Sequence, residues 1–368
     1  MLFLNKISVL QFKNYSNYSC HFNKRIIGIC GTNGVGKTNL LDAIHYLCFT
    51  KSYFSRSDVN NVQHGSSGFR IAGEMMLNEK QENTVCILRE TGRKEFIVNE
   101  TAYEKFSHHI GKFPCVVIAP DDAELITGDS KIRRTFMDAL LSQLDNEYLK
   151  QLITYSKLLL QRNSLLKDFA ERGTKDFTLL DTFDEQLINP GEYIFHKRKE
   201  FMLSFLPLVK KLYFEIANNP EVNKINNQED INLFYESELM QASFTKLLQL
   251  NRQKDCFAQR TTTGIHRDDL LIQLSNQPFK IIASQGQRKS LLFALKLAEM
   301  DVLDKEKGFA PVLLLDDVFE KLDEGRITNL LKKVCTENQG QVFITDTNEE
   351  RLTSHLNQLN IEFEIINL

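Results

Sequence analysis

The sequence lacks a surplus of charge of either sign: 45 lysine and arginine residues stand against 48 aspartate and glutamate residues, a formal net charge of −3. A small basic nucleic-acid-binding module is therefore excluded, and any contact with a polyanion must come from a local patch. The seven cysteines form no C-x-x-C pair, which argues against a zinc site or a disulfide scaffold and suits a reducing cytosol. No apolar run approaches the roughly 20 residues that span a bilayer, and the N-terminus does not have the pattern of a signal peptide. We therefore expect a cytoplasmic protein without a membrane partner.

With 368 residues, the chain can form one large domain or two of medium size. Apolar alternation and short β-branched runs predict strands near both ends, whereas spacings of three and four predict a mainly helical middle. The predicted strands lie at 2–12, 25–30, within 69–120, and at 270–274, 279–284, 312–315, 340–347 and 361–368. We expect an α/β head made from residues 1–130 and 256–368, with strand-rich N-terminal hairpins, into which a helical lobe, 131–255, is inserted.

The segment "GTNGVGKT" matches the phosphate-loop pattern G-x-x-x-x-G-K-[ST] and lies between an apolar strand and an amphipathic helix. Its glycines let backbone N–H groups turn toward phosphate oxygens, Lys37 can reach the β- and γ-phosphates, and the Thr38 hydroxyl can bind Mg²⁺. The alternative is a glycine-rich loop that serves only as a turn. The residues predicted to bind ATP here are Gly31, Thr32, Asn33, Gly34, Val35, Gly36, Lys37, Thr38 and Asn39.

A second candidate segment, "PVLLLDDVFEKLDEGR", has four apolar residues followed by two carboxylates. The apolar run suits a strand buried on both faces of a parallel sheet, and ligands bind at the carboxyl ends of such strands. Asp316 is predicted to hold Mg²⁺ through water, and Asp317 to orient or deprotonate the attacking water. With Lys37, these two aspartates are the predicted catalytic residues; the alternative is an acidic pair that caps the next helix.

The segment "ASQGQRKSLLFALKLAEM" predicts a helix that begins at an anion, and the alternative is an ordinary helix start closed by a capping box. Ser284 and Gln287 have the spacing of a capping box. Arg288 and Lys289 fall in the first turn, where the helix dipole disfavours cations unless an anion is bound there.

In ABC-type P-loop ATPases, a Ser-x-Gly-Gln signature caps the γ-phosphate that is bound by the other subunit of a dimer. Ser284, Gly286 and Gln287 resemble that signature, and Asp323 resembles the aspartate that bridges the two active sites. Together with the phosphate loop, four segments resemble the RecF family of bacterial recombination mediators over almost the whole chain: "APDDAELITGDSKIRRTFMD", "TTTGIHRDDL", "SQGQRKSLLFALKLAE" and "LLLDDVFEKLD".

This resemblance implies an ABC-type head that uses ATP and Mg²⁺ and forms an ATP-dependent homodimer. It also implies binding to single-stranded, gapped and junction DNA, weak DNA-stimulated ATP hydrolysis, and cooperation with RecR and RecO to load RecA in DNA repair, replication restart and the SOS response. The competing hypotheses are an ATPase nuclease with a related head and a non-catalytic scaffold switched by ATP. A transporter head is disfavoured because Thr345 and Asp346 stand where such heads carry a histidine.

Three basic clusters are candidate contacts to DNA phosphates, with a solvated helix face as the alternative for each. The first two supply the predicted DNA-binding residues Arg133, Arg134, Lys197, Arg198 and Lys199, and Lys210 and Lys211 form the third. His266, in "GIHRDD", has no second histidine at the spacing of a helical metal site, and we interpret it as a structural hydrogen-bonding residue.

Overall fold

The computed structural model describes residues 1–173, 177–217, 231–319 and 324–368. The strands are β1 (Leu2–Phe12), β2 (Tyr15–His21), β3 (Ile26–Cys30), β4 (Phe69–Leu77), β5 (Lys80–Leu88), β6 (Lys94–Val98), β7 (Thr101–Ala102), β8 (Cys115–Ile118), β9 (Ile231–Glu236), β10 (Asp269–Leu274), β11 (Gln277–Pro278), β12 (Val312–Leu315), β13 (Val342–Asp346) and β14 (Phe363–Asn367). The helices are α1 (Lys37–Phe49), α2 (Glu124–Thr127), α3 (Ser130–Leu144), α4 (Asn146–Arg172), α5 (Phe177–Ala217), α6 (Phe244–Ala258), α7 (Phe279–Ile282), α8 (Gln285–Lys307), α9 (Glu324–Leu331) and α10 (Glu349–Gln358).

The chain divides into two compact units. The first contains the described residues of Met1–Asp122, Tyr213–Val222 and Leu292–Leu368, and the second those of Ala123–Leu212 and Asn223–Leu291. The predicted domains, with boundaries after residues 130 and 255, stay a prediction. Among the described helices, none combines the length and the apolar character needed to cross a membrane.

An antiparallel sheet in the first unit has the strand order β2-β1-β4-β5-β6-β7. In β1 the buried positions change phase, from Leu2 and Leu4 to Ile7 and Val9. The phase changes because the pairing of β1 with β4 shifts register between Leu4 and Lys6, and such a bulge moves the following side chains to the other face.

A parallel sheet in the same unit has the order β14-β3-β13-β12-β8. Strands β3, β8, β12 and β13 are buried along their whole length, which explains their continuous apolar runs. The C-terminal strand β14 lies at the edge, as the sequence predicted. Helix α1 contacts β4 and β5 of one sheet and β13 of the other. Because the strands are parallel, the carboxyl ends of β3, β12 and β13 lie along one edge of the sheet.

The second unit combines the helices α2 to α4 and α6, most of α5, and a sheet of order β11-β10-β9. A Cβ atom added at Gly191 of α5 would lie 2.5 Å from the ring of Phe244 in α6, so glycine permits close packing there. The predominantly helical middle of the chain is thus confirmed, although the sequence did not predict strand β9.

One predicted strand, 279–284, is wrong, because this segment begins with the helical turn α7. A short apolar run does not distinguish a strand from one turn of helix by periodicity. Here Phe279 is buried but Ile281 is 68% exposed, so the alternation of a half-buried strand is absent. Strand β2 was also not predicted, because its sequence "YSNYSCH" is mostly polar and it lies at a sheet edge.

Candidate nucleotide-binding site

The phosphate loop follows β3 and leads directly into α1, as the motif predicted. Gly34 and Gly36 have φ angles of 84° and 122°, a region that strongly favours glycine. The Lys37 ammonium is buried and donates hydrogen bonds to the carbonyl oxygens of Gly31 (2.8 Å) and Thr32 (3.2 Å). The loop therefore closes around the lysine that the motif assigns to phosphate binding.

The predicted magnesium residues meet at the edge of the parallel sheet. The Thr38 hydroxyl lies 3.0 and 2.9 Å from the two carboxylate oxygens of Asp316, which immediately follows β12. Burial raises the pKa of Asp316 above its ordinary value. A hydroxyl and a carboxylate are hard oxygen ligands, and their proximity fits Mg²⁺ bound together with phosphates.

Thr345, at the end of β13, also contacts this carboxylate. Its hydroxyl donates to Asp316 Oδ1 (2.9 Å) and accepts the Asp317 N–H (2.9 Å). The sequence placed Thr345 at the end of a strand but gave it no role. Two buried polar residues, Thr345 and Asp346, at the end of an otherwise apolar strand are the signal that could have identified it.

Residues at the turn between β1 and β2 make hydrogen bonds to the phosphate loop and to α1, and the sequence did not predict these contacts either. Asn14 Nδ2 donates to the Val35 carbonyl (2.7 Å), Asn39 Nδ2 donates to Asn14 Oδ1 (2.8 Å), and the Tyr15 hydroxyl donates to the Gly36 carbonyl (3.1 Å). Asn39, predicted to bind nucleotide, therefore also connects α1 to this turn.

The signature segment has the reciprocal capping box that its sequence predicts. The Ser284 N–H donates to Gln287 Oε1 (2.7 Å), and the Gln287 N–H donates to Ser284 Oγ (3.2 Å). Ser284 is exposed, and Gly286 lies in the first turn of α8. The Arg288 guanidinium donates to the Lys280 carbonyl (2.9 Å). Asp323, predicted to act with this segment across a dimer, lies outside the described residues.

Asp122, at the end of the first segment of the first unit, belongs to a buried polar cluster. Its carboxylate accepts hydrogen bonds from the Tyr53 hydroxyl and from the Ala119 N–H, and Lys296 Nζ lies 3.8 Å from it. Lys296 also lies 3.7 Å from Glu299, whose pKa is raised by burial to about 7. This cluster joins α8 to the segments that follow α1 and β8.

Two of the predicted DNA contacts are corrected by the structure. The Arg133 side chain is 9% exposed and makes a bidentate pair with Asp269, at 2.7 and 3.0 Å. The Arg198 side chain is 1% exposed and lies 2.7 Å from both Asp138 and Asp268. Both guanidinium groups neutralise carboxylates inside the second unit, so neither is presented to a DNA phosphate.

The other three candidate DNA contacts stay predictions. Arg134 donates to the Asp268 carbonyl (2.6 Å), Lys197 lies 3.2 Å from Asp145, and the exposed Lys199 lies over the Phe195 ring.

His266 has a hydrogen-bond partner at each ring nitrogen, and its structural role stays an interpretation. Its Nδ1 lies 2.8 Å from the Tyr155 hydroxyl and its Nε2 3.1 Å from the Thr261 carbonyl oxygen. Burial lowers its pKa to about 4, so the ring is neutral at physiological pH.

The fold and the arrangement of the phosphate loop with the carboxylate strand define an ABC-type ATPase head of the SMC and RecF type. A family model described as the RecF/RecN/SMC N terminal domain matches residues 3–364. The DNA replication and repair protein RecF of Flavobacterium johnsoniae is 43% identical over 365 residues, which cover 99% of each chain. Its counterpart in Phocaeicola vulgatus is 39% identical over 366 residues, 99% of this chain and 96% of the relative.

A solved structure of the recombination mediator protein RecF with ATP superimposes with a TM-score of 0.85 at 30% identity, and covers 95% of this chain and 92% of that one. An Smc head domain from Pyrococcus furiosus has a TM-score of 0.52 at 15% identity and shares the fold alone. The chain belongs to the RecF family.

Proposed function

We propose that this chain is an ATP-dependent recombination mediator that dimerises on ATP and binds single-stranded, gapped and junction DNA. With RecO and RecR it would aid RecA loading during DNA repair, replication restart and the SOS response. The proposal that the chain binds ATP is supported by the position of Lys37, Thr38 and Asp316 at the same edge of the parallel sheet. The DNA and partner part rests on membership of the RecF family, whose relatives are named for DNA replication and repair.

In this proposal Lys37 leaves its two backbone carbonyls to bind the β- and γ-phosphates, while the loop N–H groups surround them. Thr38 and Asp316 would hold Mg²⁺, which neutralises phosphate charge when it is bound. Asp317, next in the chain, would orient the attacking water. From the family resemblance, we expect the resulting ATP hydrolysis to be weak and stimulated by DNA. Asp317→Asn tests this role, because unchanged turnover would favour a scaffold that uses ATP only structurally.

The dimer is proposed to form through the signature of a second copy. Ser284 is exposed at the start of a 23-residue helix, and its capping box fixes the helix start. An anion at this end would be stabilised by the N–H groups that point out of the first turn and by the helix dipole. The γ-phosphate of a neighbouring copy is the anion that the family resemblance supplies.

The test is the size of the protein in solution with Mg²⁺ and ATP, with and without a gapped duplex, compared with ADP. We expect a dimer with ATP for the wild type and a monomer for Lys37→Ala and for Ser284→Arg. Ser284→Arg should still bind a fluorescent ATP analogue, since its own phosphate loop is intact, whereas Lys37→Ala should not.

Mixing the two variants provides the sharpest version of this test. A mixed dimer has one intact composite site, made from the phosphate loop of the Ser284→Arg copy and the signature of the Lys37→Ala copy. We therefore expect ATP-dependent dimers in the mixture but in neither variant alone. Dimerisation of Ser284→Arg at the wild-type level would refute the role of the signature.

A further inference from the structure

We infer that Thr345 is a positioning residue for the hydrolytic site, which orients Asp316 and Asp317 together through one hydroxyl group. This inference rests on the proposed ATP-binding function and adds a residue to it. Thr345 is fully buried at the carboxyl end of β13, next to β12, which leads into both aspartates.

The hydrogen-bond chain runs in one direction. The Asp317 N–H donates to Thr345 Oγ1, and the Thr345 hydroxyl donates its single hydrogen to Asp316 Oδ1, each at 2.9 Å. Because this hydroxyl group donates one hydrogen bond and accepts another, its rotation about the C–O bond is restricted, and each of the two hydrogen bonds polarises the other. The orientation of the first carboxylate is therefore tied to the backbone at the second.

The backbone at Asp317 needs such support. Its φ angle is 44°, in the left-handed region that residues other than glycine rarely adopt. Unfavourable backbone conformations of this kind persist only when the surrounding structure determines them strongly. The Thr345 hydroxyl oxygen accepts a hydrogen bond from the Asp317 N–H and so stabilises this backbone conformation. The backbone conformation in turn sets the direction of the Asp317 side chain.

Thr345 also differs from the other hydroxyl on Asp316. Thr38 belongs to the phosphate loop, so its contact with Asp316 depends on the state of that loop. Thr345 belongs to the sheet, and its neighbour in register on β3 is Ile29. It can therefore hold Asp316 in place whether or not nucleotide is bound, as groups behind a metal ligand commonly do.

The test compares Thr345→Val, which keeps the shape and loses the hydroxyl, with Thr345→Ser, which keeps the hydroxyl and loses the methyl group. The first measurement is the Mg²⁺ concentration that half-saturates binding of a fluorescent ATP analogue. Because loss of a group behind a metal ligand typically costs about 10- to 100-fold in metal affinity, we expect at least a tenfold increase for Thr345→Val. Thr345→Ser should stay within about threefold of the wild type by the same reasoning.

Two further measurements separate positioning from packing. Binding of the analogue in EDTA should be unchanged in Thr345→Val, because the phosphate loop is intact. At saturating Mg²⁺, its kcat for ATP should fall about tenfold or more, with KM nearly unchanged, since the defect lies in the aspartates. The exposed Thr347, two residues further on, provides the matched control Thr347→Val, which should resemble the wild type.

The inference is overturned if Thr345→Val needs no more Mg²⁺ than the wild type, or if Thr345→Ser is as defective as Thr345→Val. The second result would mean that the methyl group, and hence packing, is what matters. Failure of the proposed function is a different observation: the wild type itself would then bind no ATP analogue with Mg²⁺, and the inference would fall with it.

Discussion

Replacement of Arg198 by alanine should destabilise the second unit severely. The guanidinium donates to the carboxylates of Asp138 and Asp268, to the Tyr148 hydroxyl (3.0 Å) and to the Ile265 carbonyl (2.8 Å). Removal of the guanidinium leaves the carboxylates of Asp138 and Asp268 without their positively charged partner. Breaking a buried ion pair by removing one partner costs about 3–5 kcal/mol, because an uncompensated charge remains.

The expected magnitude lies near the middle of that range. Each carboxylate keeps a tyrosine hydroxyl as a donor, since Tyr148 donates to Asp138 and Tyr235 donates to Asp268, both at 2.5 Å. These bonds soften the loss, but Asp268 is 1% exposed and cannot recover its hydration without local opening. We therefore expect a loss of about 4 kcal/mol, roughly a thousandfold in the ratio of folded to unfolded molecules.

Hydrogen exchange measured by mass spectrometry can locate this effect. Protection should fall in β9 and β10, which surround Asp268, and the free energy of unfolding in urea should fall with it. Lys199→Ala is the control, because that side chain is exposed and such changes usually cost less than about 0.5 kcal/mol. A loss below about 1 kcal/mol for Arg198→Ala would refute the reasoning. If Arg198→Ala weakened DNA binding while its hydrogen-exchange protection stayed at the wild-type level, Arg198 would instead be restored as a DNA contact.

Two further predictions concern the first unit. Gly36→Ala should abolish binding of a fluorescent ATP analogue, because the added Cβ would lie 2.6 Å from Asn14 Nδ2 at a φ of 122°. Gly65→Ala, also at a positive φ (84°) but in open space, should leave binding intact. Normal binding by Gly36→Ala would contradict this reasoning. Burial lowers the pKa of His109 to about 4 in the folded protein, below its value near 6.5 in the unfolded chain. Between these two pH values the unfolded chain binds more protons, so stability decreases as the pH is lowered. Between pH 6.5 and 5 the wild type should therefore lose about 1.6 kcal/mol of unfolding free energy relative to His109→Phe in urea unfolding, and a constant difference would contradict the assignment.

The sequence predicted those parts of the site that depend on local chain geometry. A glycine loop between a strand and a helix, and carboxylates at the end of an apolar strand, are determined by neighbouring residues. The structure accordingly brings Lys37, Thr38 and Asp316 together. The capping box of Ser284 and Gln287 is likewise a local feature, and its two reciprocal hydrogen bonds were predictable from spacing alone.

The features that escaped prediction depend on partners far away in the chain. Thr345 acquires its role from residues 28 and 29 positions earlier, and Asn14 from a loop about 20 positions later. Arg198 is buried because it meets Asp138, 60 positions before it, and Asp268, 70 positions after it. On the helix itself, nothing distinguishes this arginine from its charged neighbours Lys197 and Lys199.

The burial of arginines changes what can be expected of DNA binding. Of five predicted cationic contacts per copy, Arg133 and Arg198 are buried in ion pairs; if the other three each contact a phosphate, a dimer makes six contacts. Because each neutralised phosphate contributes about −0.9 to the slope of log affinity against log salt on duplex DNA, six contacts give a slope near −5, whereas ten would give about −9. Fluorescence anisotropy with a gapped duplex and ATP, over a salt series, measures this slope. A value steeper than about −7 would require cations beyond the three that the structure leaves available, and a slope near zero would remove DNA phosphates from the proposal altogether.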